Sequence, residues 1–317
     1  MCVFYLNSAV KKTLGSSLAR CKAAELRVNS ACTVRYTCTQ DCTCFLLENC
    51  LCSVAYASAL DSHSIITAQL QRDIDAVVKW CNDWGMQLNF GKCRVMHCGR
   101  RNQSFRYSFN TTEASHYLEV TTREPDLGVI ITSDMKWHEQ VTSAASKASQ
   151  MLGRLRKSFR TRDESVWKKL ISTYVRPNVE FAVSVWNPYL RGDIKVLERV
   201  MRRATRVPGR LRDLEYGERC ERLGFTSLEE RRRRGDLIQQ FKIAKGIELV
   251  KFERPALVSA PRGSKRAQLR REMVRSCNQR HNFFSNRIVN MWNELDDSII
   301  EATSINEFKK RLDEATA

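Results

Sequence analysis

Long apolar runs are what this 317-residue sequence most plainly lacks: no stretch approaches the ~18 apolar residues that a membrane span requires. A membrane-embedded protein is therefore not expected. Carboxylates are also short, with 35 Asp+Glu against 53 Lys+Arg and a formal net charge of +18. That balance points to a polyanionic partner, nucleic acid first and an anionic membrane surface second. Histidine is scarce, at 5 residues, and the 13 cysteines include no paired C-x2-C knuckle, which tells against the usual structural zinc modules. No signal-peptide pattern is recognisable: Cys2-Val-Phe-Tyr is too short an apolar run, and Lys11-Lys12 lies on the wrong side of it. The expectation is a soluble intracellular protein, nuclear or cytoplasmic. In such a compartment disulfides are not formed, and the sequons at Asn102 and Asn110 have no meaning.

What is present suffices for a real core, since 43% of the residues are hydrophobic and 9% aromatic. Residues 1–64 form a Cys-rich head in which Cys38, Cys42, Cys44, Cys50 and Cys52 crowd together without clear periodicity. A metal module and a degenerate segment are the two readings of it. From Ile65 the pattern turns helical: Leu70, Ile74, Val77, Val78 and Cys81 share one face, and Gly85 stops the run. Met86–Cys98 and His116–Thr132 then read as strands, with Leu127-Gly-Val-Ile-Ile as one of them. In strand geometry Cys93 and His97 share a face while Cys98 points away, which sets a metal site aside.

Beyond Ser133 helices are expected to the end. Val141, Ala144, Ala145, Ala148, Leu152 and Leu155 make one stripe, and Val166, Leu170 and Tyr174 begin another that Pro177 should kink or end. Asp193 stands where an N-cap belongs, and Pro208-Gly209 closes that helix. Thr226-x-x-Glu229 and Ser304-x-x-Glu307 read as capping boxes opening later helices, with an amphipathic helix through Ile288, Val289 and Trp292 between them. The fold class expected is α+β, predominantly α: a small antiparallel sheet region over 65–132, a helical bundle over 133–223 and a basic helical extension over 224–317.

Positive charge is concentrated. Met151–Arg210 holds 15 Lys/Arg against 5 Asp/Glu, and Arg262–Arg280 holds 7 against 1. A single basic helix usually just presents a solvated face; two separate basic stretches suggest a use.

Ser172-Thr-Tyr-Val-Arg-Pro-Asn-Val-Glu-Phe-Ala, Val185-Trp-Asn-Pro-Tyr-Leu, Arg202-Arg-Ala-Thr-Arg-Val-Pro-Gly and Arg231-Arg-Arg-Arg-Gly-Asp-Leu-Ile, in that order, resemble the segment after the polymerase active site in reverse transcriptases of non-LTR, Jockey-like retrotransposons. The resemblance covers Leu70 to Leu312 and only the downstream half of such an enzyme. It implies a palm edge, a thumb and C-terminal helices. In the family an aromatic-Ala-Asp-Asp hairpin helps hold two Mg²⁺ ions ~3.5–4 Å apart. Here its place, Cys50-Leu-Cys-Ser-Val54, has no carboxylate, and Tyr56-Ala-Ser-Ala59 keeps only the aromatic-Ala start. Asp296-Asp297, the one Asp-Asp in the chain, follows a helix pattern and reads as a solvated turn. The expectation is nucleic-acid binding without polymerisation and no cofactor in this chain; the alternative is a non-enzymatic basic helical protein serving RNA or DNA.

By the same resemblance, Lys92 is a remnant of a proton donor to departing pyrophosphate, although a lysine reaching into water reads the same. Leu127 and Gly128 belong to a primer-supporting hairpin. Arg154, Arg156, Lys157, Lys168, Lys169, Arg202, Arg203, Arg206 and Arg210 would meet the phosphates of a duplex, positioning it without reading sequence. Arg202 and Arg206 stand four apart and should share a helix face. Trp186 and Tyr189 are expected in the core rather than on bases.

Overall fold

A computed structural model describes residues 2–6, 10–12, 54–56, 63–99, 102–110, 114–250, 257–259 and 268–315. The Cys-rich cluster from Cys38 to Cys52 lies outside them. The chain divides into two compact units, Met1–Lys136 and Trp137–Ala317, so neither 64/65 nor 223/224 separates compact units. The protein is α+β and predominantly α. Among the described residues no helix is long and apolar enough to cross a membrane.

Unit one opens with β1 (Cys2–Leu6), β2 (Val10–Lys12) and β3 (Val54–Tyr56), then α1 (His63–Asp83). There follow β4 (Met86–Leu88), β5 (Cys93–His97), β6 (Ser108–Asn110), β7 (Ser115–Tyr117), β8 (Glu119–Val120), β9 (Arg123–Asp126) and β10 (Val129–Thr132). The largest sheet has the order β3-β1-β5-β8, with β1 antiparallel to both β3 and β5. Strands from the expected head thus belong to the sheet that β5 centres. Its one parallel pair, β5 with β8, carries a cross-strand ion pair of Arg94 and Glu119 at 3.1 Å.

α1 forms because its apolar residues fall at helical spacing, and Leu70, Ile74, Val77, Val78 and Cys81 are all buried against Cys93, Val95, Tyr107, Phe109 and Leu118. Gly85 ends the turn at φ +62°, a conformation that costs a residue with a Cβ about 1 kcal/mol. Gln71 acts as a strand neighbour from within the helix. Its Nε2 donates to the Ser108 carbonyl at 2.7 Å and its Oε1 accepts from the Ser108 amide at 3.1 Å, satisfying the edge of β6.

Unit two begins with α2 (His138–Ser158), whose stripe from Val141 to Leu155 is buried as the periodicity requires. Next come α3 (Glu164–Leu170), a π-helical turn over Ile171–Val175 and α4 (Arg176–Glu180). The buried stripe here is Trp167, Leu170, Ile171, Val175 and Val179, while Tyr174 is exposed. In a regular α-helix a side chain four residues on is rotated by about 40°, so a strict four-residue repeat would wind off its face. The wider π turn absorbs that drift, and it is why Tyr174 was the wrong phase. Pro177 stands at the start of α4, where its missing amide is harmless, and the helix ends at Phe181.

The remaining helices are α5 (Arg191–Ala204), α6 (Tyr216–Leu223), α7 (Leu228–Ala244), α8 (Asn278–His281), α9 (Phe284–Asn293), α10 (Asp297–Ile300) and α11 (Ile305–Ala315), with β11 (Leu257–Ser259) paired to β12 (Gln268–Arg270). α5 is capped at Leu190, not Asp193. Asp193 lies inside the first turn, buried, with its carboxylate 2.8 Å from His138 Nδ1. The capping box of α7 is Ser227 with Glu230, one residue later than expected: Ser227 Oγ accepts from the Glu230 amide and the Glu230 carboxylate from the Ser227 amide. Both phases fit the motif, and the chosen one turns Leu228 inward. Ser304 caps α11 as its motif implies, accepting from the Glu307 amide at 3.1 Å.

Two interior groups hold these helices together. Leu237, Phe241, Ile288, Trp292, Ile299, Phe308 and Leu312 make an apolar core in which the Phe241 and Phe308 rings stack at 4.3 Å; burying each such side chain stabilises by about 1.5–3 kcal/mol. The other group is ionic. Arg287 clamps the fully buried Asp236 with two bonds of 2.8 Å and also donates to the carbonyls of Val183 and Ser184. Arg232 donates to the carbonyls of Val179 and Trp186 and lies 4.1 Å over the Trp186 ring, whose own Nε1 donates to the Phe181 carbonyl. The irregular segment 181–187 thereby has its polar backbone satisfied inside the protein. Burial pulls Arg232 down to about 10, so it stays charged at neutral pH. A Cβ on Gly235 would come within 2.7 Å of Val183 Cγ2, so the close approach of α7 to this segment requires glycine there.

Candidate nucleic-acid interface

α2 and α5 run in the same direction. His138 meets Asp193 at their starts, and farther along Arg203 Nη2 donates to Ser149 Oγ at 2.7 Å. The step from 138 to 149 in one helix matches that from 193 to 203 in the other, which only parallel helices allow. Both C-terminal ends therefore point the same way. Arg154, Arg156 and Lys157 in the last turns of α2, and Arg202 and Arg203 in the last turn of α5, are brought to one end of the unit.

The following chain adds to that end. α5 stops at Ala204, so Arg206 is beyond the helix and does not share a helical face with Arg202 as the spacing suggested. Gly209 N donates to the Arg162 carbonyl at 3.3 Å, which carries Thr205–Gly209 alongside the final turns of α2 to the loop before α3. Arg210 arrives beside Asp163, the N-cap of α3. Asp163 is held below the usual carboxylate range first by the Ser165 hydroxyl, then by the Val166 amide, with Arg210 a smaller contributor. It is the N-cap carboxylate of α3, and one such group cannot neutralise the cations around it.

All nine expected phosphate contacts are exposed, but the structure does not treat them alike. Among the described residues the side chains of Arg154, Arg156, Lys157 and Lys169 have no hydrogen bond or ion pair. The Arg202 guanidinium lies 4.7 Å over the Tyr216 ring, whose hydroxyl donates to Glu198. Lys168 is drawn elsewhere: its Nζ lies 3.0 Å from where a Cβ of Gly224 would be, against the C-terminus of α6, where the helix dipole favours a cation. The buried Arg219 donates to Thr205 Oγ1 at 3.1 Å and fixes the chain as it leaves α5. Burial first, and Arg206 second, hold Arg219 below its ordinary value, a sign of how closely cations gather here.

Arg160, Arg162 and Arg212 were not among the expected contacts, yet they are exposed and belong to the same loops. Counting charge over Met151–Arg210 could have found the first two. Arg162 is tied by donation to the Phe159 and Thr161 carbonyls. Trp186 is wholly buried, as expected of a core residue, and Tyr189 half-buried.

In unit one the expected strand Leu127-Gly-Val-Ile-Ile is corrected. Leu127 and Gly128 are the two-residue turn joining β9 to β10, at φ +45° and +84°, and only Val129–Thr132 is strand. Positive φ at both positions is what a tight hairpin between twisted strands demands, and it explains Gly128. Leu127 has no such excuse and is 74% exposed. Lys92 closes a 3-10 turn, Phe90–Lys92, between β4 and β5, with its side chain in solvent. The segment Cys50–Ser53, where the family's metal-binding hairpin was expected, lies outside the described residues. Asp296 caps α10 and Asp297 opens it, both exposed.

No family model, no curated protein and no solved structure matches the chain.

Proposed function

We propose that the chain binds the phosphate backbone of a nucleic-acid duplex at the shared C-terminal end of α2 and α5, as the thumb-side part of a non-LTR reverse transcriptase without its catalytic step. The observation that supports this most is the convergence of Arg154, Arg156, Lys157, Arg202, Arg203, Arg206 and Arg210 on one end of two parallel helices, with few carboxylates among them. A helix end needs about one or two cations to balance its dipole; the surplus is available to phosphates. The absence of a carboxylate from Cys50–Val54 argues against polymerisation.

The test measures binding to a 20-base-pair RNA–DNA duplex over a salt series. About six phosphate contacts give a log–log slope near −5, a loss of roughly 10³-fold in affinity between 50 and 200 mM salt. A slope near zero would remove the proposal. Primer extension with Mg²⁺ should yield no product; EDTA-sensitive incorporation would restore catalysis to the chain.

A further inference from the structure

α5, α7, α9 and the Asn187–Tyr189 segment line a partly open cavity of about 240 Å³, room for one flat ring system. Ile194, Leu197, Leu228 and Met291 give it apolar walls. Two amides, Asn187 and Asn282, line it as well, and chemistry fixes how each is turned. Asn187 Nδ2 donates to the Asp236 carboxylate at 3.3 Å, and Asn282 Nδ2 to the Asn278 carbonyl at 2.8 Å. A carboxylate clamped by arginine and a carbonyl can only accept, so nitrogen must face them. Each Oδ1 is left as the unmatched end of a side chain that lines the cavity, without a hydrogen-bond partner among the described residues.

The two amide oxygens therefore offer acceptors to an N–H donor. A cationic donor is disfavoured, because Arg232, Arg233 and Arg287 outnumber Glu229 in the lining. Of these, Arg233 is exposed and has no ion-pair partner among the described residues, so it is available for an anion attached to the ligand. A neutral, flat, amine-bearing ring joined to a phosphate meets all of these demands. We propose that the cavity takes one unpaired nucleobase carrying an exocyclic amine, with its phosphate on Arg233. This deepens the nucleic-acid reading above and rests on it.

Titration calorimetry of the full chain with CMP and UMP tests it, because cytosine carries an exocyclic amine with two N–H donors where uracil has a carbonyl beside a single ring N–H. CMP should bind about tenfold more tightly than UMP, the worth of one to two such hydrogen bonds. Asn282→Leu should bring CMP down to the affinity of UMP, and Ile194→Trp, which fills the space, should abolish both. Melting curves identify any variant that has lost its fold. Equal affinities, a CMP preference that survives Asn282→Leu, or no binding of either nucleotide at millimolar concentration would overturn the proposal. The duplex reading fails separately: a flat salt slope with the CMP preference intact counts against the backbone interface alone.

Discussion

In Arg202–Arg210 the guanidinium groups reach into solvent, whereas in Arg231–Arg234, the next arginine run along the chain, three of the four are committed to fixed partners. Arg231 makes a two-pronged bond to Glu180, Arg232 serves backbone carbonyls from a buried position, and Arg234 makes a two-pronged bond to Asp313 at 2.6 and 2.8 Å. Written as sequence, the two runs are equally basic. What separates them is the supply of acceptors from elsewhere: α4 and α11 each bring a carboxylate to α7, and the irregular segment 181–187 brings carbonyls. No comparable supply reaches the end of α5. Charge density alone therefore does not mark an interface; only charge left over after internal pairing is available to a partner.

The largest effect that would sharpen this contrast comes from the buried side. Asp236→Ala leaves Arg287, with only 13% of its side chain exposed, without its carboxylate. Loss of one partner of a buried pair costs about 3–5 kcal/mol, a drop in melting temperature on the order of 10 °C. Thermal unfolding by circular dichroism measures it. A shift of a degree or less would mean that the ionic group does not organise the helices.

Next in size is the exposed side. Replacing Arg202, Arg203, Arg206 and Arg210 together by Gln should flatten the salt slope of duplex binding by about 3.6, close to 0.9 for each lost contact. Surface changes of this kind usually cost within about 0.5 kcal/mol of stability each. Arg234→Gln, which removes a guanidinium already committed to Asp313, should leave the slope almost unchanged. Equal slopes for the two variants would break the distinction between spent and available arginines.

How much of this was legible beforehand depends on range. The stripe of α2, the face of α1 and the caps at Gly85 and Ser304 are local patterns, and periodicity reads them directly. The Tyr174 phase failed because a π turn alters the period in mid-helix, and the Thr226 cap because two overlapping motifs compete and only burial of Leu228 decides. The list of basic residues identified which side chains are exposed. That α2 and α5 lie parallel, so that two basic termini coincide, is a fact of packing between distant segments and has no local signature. The same is true of the arginines spent on Glu180 and Asp313.

A smaller effect lies in the Arg234–Asp313 pair. The hydrogen bond from Arg234 is the largest influence holding the Asp313 carboxyl below its ordinary 3.8. A carboxylate depressed in the folded state contributes stability that is present above the unfolded value and disappears as pH falls through the folded one. Urea midpoints of the native protein and of Asp313→Asn should therefore differ at about pH 5 and converge as the pH falls below the depressed folded value. With half of the Asp313 side chain exposed, solvent screens the pair and the gap will be modest. A gap that persists at the acid end would show that packing, not ionisation, links α7 to α11.

The smallest change, and the one that reaches unit one, concerns Leu127. A leucine at φ +45° in a two-residue turn sits in a conformation that costs about 1 kcal/mol relative to Asn or Gly, and its side chain gains nothing from burial at 74% exposure. Stability alone would favour Asn at this place. Leu127→Asn should accordingly raise the stability of the protein by about 0.5–1 kcal/mol, read from urea unfolding. If the hairpin supports a primer end, as its resemblance implies, the same variant should lose affinity for a recessed duplex end while binding to a blunt duplex is unaltered. A stabilised variant with unchanged binding at both ends would leave the arginines of α2 and α5 as the whole of the interface.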